Sequence, residues 1–190
     1  LQGEITMKIL WAVRLKLIEG EISAPRSKPF KGKHGLDCYL KLLEAQGYLP
    51  RWNIENSNLA RRMVEEAIAM CPENPGGYLL LGWACFYDCW QGYTKSPRET
   101  LEKGIELAQK ALAMDDSIAN GHALLCALYR IKGDLIKAIA EGERAVALGP
   151  SHAPALNNYA NSLISLGRPE EAIPVYQKAI RLSPLGLHYL

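Results

Sequence analysis

The chain lacks a long apolar run. Its longest, Tyr78–Tyr87, reaches ten residues with Gly82 counted, against roughly 20 needed to cross a bilayer, so no membrane contact is expected. It also lacks an excess of one charge sign. Lys and Arg total 22 against 20 Asp and Glu, a net charge of +2, whereas a dedicated nucleic-acid binder carries a strong basic surplus. Five cysteines occur with no Cys-x-x-Cys pair. Cys85 with Cys89, or His122 with Cys126, could each offer two metal ligands one helical turn apart, but nothing supplies the other two that a tetrahedral zinc site requires. The cysteines read instead as small apolar packing residues, kept as thiols in a reducing cytoplasm.

Catalytic signatures are missing too. There is no Gly-rich phosphate loop, no G-x-S-x-G and no H-E-x-x-H. Glu65–Glu66 and Glu170–Glu171 are adjacent carboxylates that a helix turns about 100° apart, so neither forms an acid/base pair. His34, His122, His152 and His188 have no evident partner in the sequence. No enzyme activity, cofactor or metal is expected of these residues.

What is present is a 190-residue chain, 48% apolar, with 16 Gly and 11 Pro. That suffices for one core or a short repeat array, and is too apolar for disorder. Leu1 stands where a start methionine would, with no signal-peptide pattern, so the sequence reads as a piece of something longer. Residues 1–34 hold seven Lys/Arg and three Glu, and the rest is mildly acidic. Arg26, Lys28, Lys31 and Lys33 alternate with Ser, Pro and Gly, the composition of a solvated linker over 21–35.

One pattern returns at a spacing of 34. Ala138, Ala145, Leu148 and Pro150 reappear as Ala172, Ala179, Leu182 and Pro184, each set preceded by a glycine, Gly133 or Gly167. Self-similarity at this period marks a solenoid. Each unit holds two amphipathic stretches, Ala119–Ile131 with Leu135–Leu148, then Ala153–Leu166 with Pro169–Leu182. Glycine falls where the first helix needs a left-handed cap, and proline just after the second.

These residues resemble the tetratricopeptide repeat, W-x2-L-G-x2-Y followed by A-x3-F, A and P. His122, Leu125, Cys126 and Tyr129 take the first-helix positions in one unit, and Leu156, Tyr159, Ala160 and Leu163 in the last. Tyr78-x2-Leu81-Gly82-x2-Cys85 opens another, closed by Gly104, Ala108, Ala111 and Met114, with ten extra residues between its helices. Ala60, Val64, Ala67, Met70 and Pro72 close a fourth, whose first helix is expected around Leu36–Gln46. The expected fold is all-α: a tetratricopeptide superhelix of units 36–74, 75–118, 119–152 and 153–184, with an N-terminal helix over 1–20 and a truncated cap over 185–190.

The resemblance implies a concave groove lined by first helices and suited to a protein or peptide. Its expected lining is Leu40, Leu43, Leu79, Trp83, Phe86, Tyr87, Arg130, Asn157 and Asn161, apolar at one end and polar at the other. Repeat domains that clamp a C-terminal carboxylate place Lys/Arg and Asn at set positions that are mostly apolar or small here, which argues against chaperone tails. Asn157, Asn158 and Asn161 either hydrogen-bond a peptide backbone or solvate the surface. The aromatic insertion 87–96, with Trp90 and Tyr93, either covers the helix pair or makes a partner contact. Ser96-Pro97-Arg98-Glu99 reads as a capping box after it.

A narrower resemblance covers nearly the whole chain. Leu1–Ile9 looks like the opening of the closing helix of a TolB-like domain, with Gly3 in place of an Asp. Leu36–Leu40, Leu80–Trp83, Lys95–Glu99, Ala138–Val146 and Gly167–Ile173 are similar to the C-terminal region of bacterial class III adenylate/guanylate cyclases of that architecture. TolB-like and repeat regions also follow winged-helix transcription regulators. The cyclase resemblance implies a non-catalytic regulatory module, its catalytic domain lying N-terminal; a generic scaffold or a regulator's sensor is the alternative. In that parent the stripe Ile5, Ile9, Val13 and Leu17 would pack on the TolB-like domain; cut free, it is expected to pack on the first repeat or join two copies.

Overall fold

The computed structural model describes residues 35–48 and 54–184. The expected helix over 1–20, the linker up to its last residue and the 185–190 cap lie outside the described residues. The described residues form eight helices and no strand: α1 (Gly35–Gln46), α2 (Ile54–Met70), α3 (Pro75–Gln91), α4 (Pro97–Met114), α5 (Ala119–Lys132), α6 (Leu135–Leu148), α7 (Ala153–Ser165) and α8 (Pro169–Leu182). Helix ends fall within about a residue of the ranges that the 34-residue pattern sets.

The helices pair in chain order, α1 with α2, α3 with α4, α5 with α6 and α7 with α8. The first helices then stack on one another: α1 packs on α3, α3 on α5 and α5 on α7. Second helices of successive pairs make no comparable contact. The stack therefore fans open on the second-helix side, which leaves the first helices on the inner, concave side.

Local chemistry explains the boundaries. Gly92, Gly133 and Gly167 follow α3, α5 and α7 with φ of 72°, 87° and 81°, a left-handed region that costs other residues energy. The 34-residue pattern does not reveal the cap at Gly92, because the aromatic insertion displaces it. Pro75, Pro97, Pro154 and Pro169 sit in first turns, where the missing N–H goes unneeded. Asn74 Oδ1 accepts from the Gly76 amide at 2.9 Å, and Asp134 Oδ1 from the Lys137 amide at 3.4 Å.

The capping box at Ser96 does not form. Ser96 makes no side-chain cap bond. Thr94 takes over locally: its Oγ1 accepts from the Ser96 amide at 3.1 Å and lies 2.7 Å from Thr100 Oγ1. The extra residues mostly lengthen α3 to 17 residues, leaving a short connection over 92–96.

The core is a series of small interhelix clusters. Cys38, Leu42, Ala60, Val64 and Ala84 fill the space among α1, α2 and α3. Leu79, Phe86, Leu101, Ile105, Leu124 and Leu128 fill that among α3, α4 and α5. Further on, alanines dominate: Ala123, Ala145 and Ala155 meet in one cluster, and Ala160 and Ala172 in the next. Small side chains bring backbones close. At Gly142 in α6, a Cβ would lie 2.6 Å from Tyr159 Cδ2 and 3.1 Å from Cys126 Sγ. No helix among the described residues is long and apolar enough to cross a membrane.

Candidate docking groove

The concave side starts with α1, where Leu40 and Leu43 are half-exposed. On α3 the expected lining divides. Leu79 and Phe86 are buried and belong to the core between α3 and α5. They support the groove from beneath and offer almost no surface to a partner, a correction to their expected place in the lining. The cause is the step from α3 to α5, which covers the face carrying both side chains.

Trp83 and Tyr87 remain half-exposed. Trp83 Nε1 donates to Asn120 Oδ1 on α5 at 3.2 Å, which fixes the indole across the seam between two first helices. Phe86 meets Trp83 edge-on at a centroid distance of 5.4 Å and Tyr87 at 5.3 Å, and stacks on Trp90 at 6.0 Å. Such contacts hold the rings rigid. The aromatic insertion is thus partly a packed continuation of α3. Behind it, Arg61 Nη2 donates to Asp88 Oδ2 at 2.6 Å and Ser57 Oγ to Asp88 Oδ1 at 3.3 Å, tying α2 to α3.

The polar end lies on α5 and α7. Arg130, in the last turn of α5, is half-buried, and its Nε is buried without an acceptor. Asn161 Oδ1 accepts from the Tyr176 hydroxyl at 2.6 Å, a partner the sequence does not reveal because Tyr176 sits on a second helix. Asn157 is buried and makes no side-chain hydrogen bond among the described residues. Asn158 is spent within its helix, donating through Nδ2 to the Pro154 carbonyl at 2.9 Å. Of the three asparagines, Asn158 is structural.

His122 and Cys126, one of the two pairs that could offer metal ligands a helical turn apart, are engaged otherwise. His122 faces Glu141 and the Asp116 carbonyl. Cys126 lies 3.2 Å from Ser162 Oγ and 3.5 Å from the Asn158 carbonyl. Burial pushes its thiol up to about 11, against the Ser162 hydrogen bond and the Arg130 charge. No group of three or more His, Cys, Asp or Glu among the described residues is placed to hold a metal ion.

A family model described as "Tetratricopeptide repeat" matches residues 153–185. The crystal structure of TTC0263, a thermophilic TPR protein of Thermus thermophilus, superposes with a TM-score of 0.67 at 22% identity, covering 99% of this chain and 94% of that one. The fold is a tetratricopeptide repeat superhelix. A crystal structure of MamA protein aligns with this tetratricopeptide array at a TM-score of 0.53 and 20% identity, over 80% of this chain and 76% of that one. A curated relative from Rhizobium meliloti (strain 1021), named "Putative adenylate cyclase 3", is 30% identical over 127 residues, 65% of this chain. The tetratricopeptide chain matches only 21% of that protein's length.

Proposed function

We propose that this array is a non-catalytic protein-interaction and regulatory module of a multidomain bacterial adenylate/guanylate cyclase. The observation that carries the proposal is the match to the protein named "Putative adenylate cyclase 3". The TolB-like resemblance of residues 1–9 points the same way. The proposed partner site is the concave face, with Trp83 and Tyr87 at its apolar end and Arg130 and Asn161 at its polar end; Asn157, expected there too, is buried. Rigid aromatics at one end and polar side chains at the other suit a protein or peptide contact. The module acts in the cytoplasm, where its buried thiols stay reduced, and the stripe from Ile5 to Leu17 docks it on the preceding domain or on a second copy.

The coding sequence ahead of Leu1 tests the parent: a class III cyclase domain is expected there, and a winged helix without one would overturn the reading. The groove is tested by partner capture from the source bacterium's lysate, comparing wild type with Trp83→Ala. Loss of one specific captured protein in the variant, with its helical content kept, is expected. Equal capture would move the contact off the concave face. Phe86→Ala is unsuitable for this comparison, since it removes a core side chain.

A further inference from the structure

Cys38 and Cys71 meet across two helices. Cys38 lies in α1 and is wholly buried; Cys71, the residue after α2, is nearly so. Both belong to the cluster that fills the seam between those helices. One carbonyl joins them: Ala67 O accepts from Cys38 Sγ at 3.4 Å and from the Cys71 amide at 2.9 Å. Asn74 joins them again, with its Nδ2 4.0 Å from Cys38 Sγ and its amide donating to the Cys71 carbonyl at 3.1 Å. Burial raises the Cys38 thiol most, and Cys71 raises it next, by side-chain hydrogen bonding and by charge. The other thiols are placed less well for pairing. Cys85 and Cys89 lie one turn apart on α3, where Cβ atoms are about 5–6 Å apart, beyond the roughly 3.5–4.5 Å that a disulfide spans. Cys126 packs on Ser162.

We propose that Cys38 and Cys71 form a disulfide when the surrounding glutathione pool turns oxidising, and that the bond staples α1 to α2. Both are free thiols in the structure. Burial keeps them protonated, so reaction starts when α1 opens. Among the described helix pairs, the one that α1 opens has a neighbouring pair on one side only, and such end units open more readily than central ones. Opening returns water to the seam and lets a thiolate form. That thiolate attacks one sulfur of oxidised glutathione; its S–S bond breaks and one glutathione leaves. The second cysteine, deprotonated in turn, attacks the protein sulfur of the mixed disulfide and releases the second glutathione. The two protein thiols thus lose two electrons and two protons, and one glutathione disulfide gains them as two thiols. Reclosure of α1 favours the second step, because it brings both cysteines back to the Ala67 carbonyl at a high effective concentration. The bond closes the loop from 38 to 71 and denies α1 its opened state. None of this depends on the groove.

The test incubates the full chain, reduced and freed of reductant, with oxidised glutathione to equilibrium, then blocks the remaining thiols with iodoacetamide in urea. Intact mass and a non-reducing tryptic map read the products. The main product should carry a Cys38–Cys71 linked peptide, with label on Cys85, Cys89 and Cys126. The same incubation in urea gives the unfolded reference, and the native share of that link should exceed it about tenfold or more, since folding raises the effective concentration of the pair. Cys71→Ser should abolish the link and leave Cys38 labelled or glutathionylated. Hydrogen exchange on the oxidised wild type should show α1 amides about tenfold or more slower than in the reduced protein. Cys38 and Cys71 both still free or only glutathionylated in the wild type would overturn the pairing, as would a link no more abundant than in urea. Unchanged α1 exchange in the linked protein would overturn the staple.

Discussion

His122 bridges two helices through Glu141: its Nδ1 lies 2.6 Å from the carboxylate of α6, and its Nε2 lies 3.0 Å from the Asp116 carbonyl oxygen. Both ring nitrogens therefore face acceptors, in a side chain that is almost wholly buried. The motif position is one that the repeat pattern gives to tryptophan, and here a polar bridge replaces part of the ring's packing. His122→Ala should cost about 2–4 kcal/mol, combining lost burial with an orphaned carbonyl. Urea unfolding measures it. A double-mutant cycle with Glu141→Ala should show a coupling of about 1 kcal/mol or more; additive losses would mean that the bridge contributes nothing.

His152, just ahead of α7, carries the pH dependence. Its Nδ1 is buried without a partner, and burial alone holds its imidazole below the usual 6.5. The unfolded chain then takes up a proton more readily than the folded one. This contribution to stability is complete above pH 6.5 and is lost as pH falls from there towards the folded value, levelling off below it. Urea midpoints measured from pH 8 to pH 5 should decline across that window. His152→Gln should flatten the decline, and an unaltered profile would assign it to other groups.

Gly142 tests a close approach between α6 and α7. Alanine would gain about 1 kcal/mol of helix propensity, but its methyl would lie 2.6 Å from Tyr159 Cδ2 and 3.2 Å from Tyr159 Cβ. The Cβ is held by the backbone and cannot swing away. Overpacking costs about 1–3 kcal/mol, so Gly142→Ala should lower stability by about 1 kcal/mol net. Thermal unfolding reads the sign directly.

The thiols should be slow to react in the folded protein. Cys38, Cys71, Cys85 and Cys126 are buried and Cys89 is partly exposed. Burial raises Cys38 to about 12 and Cys89 to about 11, so little thiolate exists near neutral pH. Iodoacetamide at pH 7.5 should label Cys89 first and slowly, by intact mass, with all five taking label promptly in urea. Rapid native labelling of Cys126 would contradict its packing against Ser162.

The helices were legible because their signals are local. Alanine spacing, Gly133, Gly167 and the prolines act within one turn, and α5 to α8 follow from them almost residue by residue. The groove was less so. Repeat position shows which residues lie on a first helix, but not how far the next helix covers them, and that hid the burial of Leu79 and Phe86. Asn120 and Tyr176 escaped for the same reason. Each contributes through a partner on another helix, 37 residues from Trp83 and 15 from Asn161. Ser96 shows the reverse failure, where a sound local motif yielded to Thr94 next door.

Stacking of each helix pair on its immediate neighbours also shapes how the molecule comes apart. Every described interface joins segments close in sequence, so no distant pair must meet before the others can form. The array should melt like a zipper, from its ends inward. Backbone amides in α5 should exchange with solvent more slowly than those in α1 or α8. Damage at one end is then a local loss, and the far repeats keep their shape and whatever they hold.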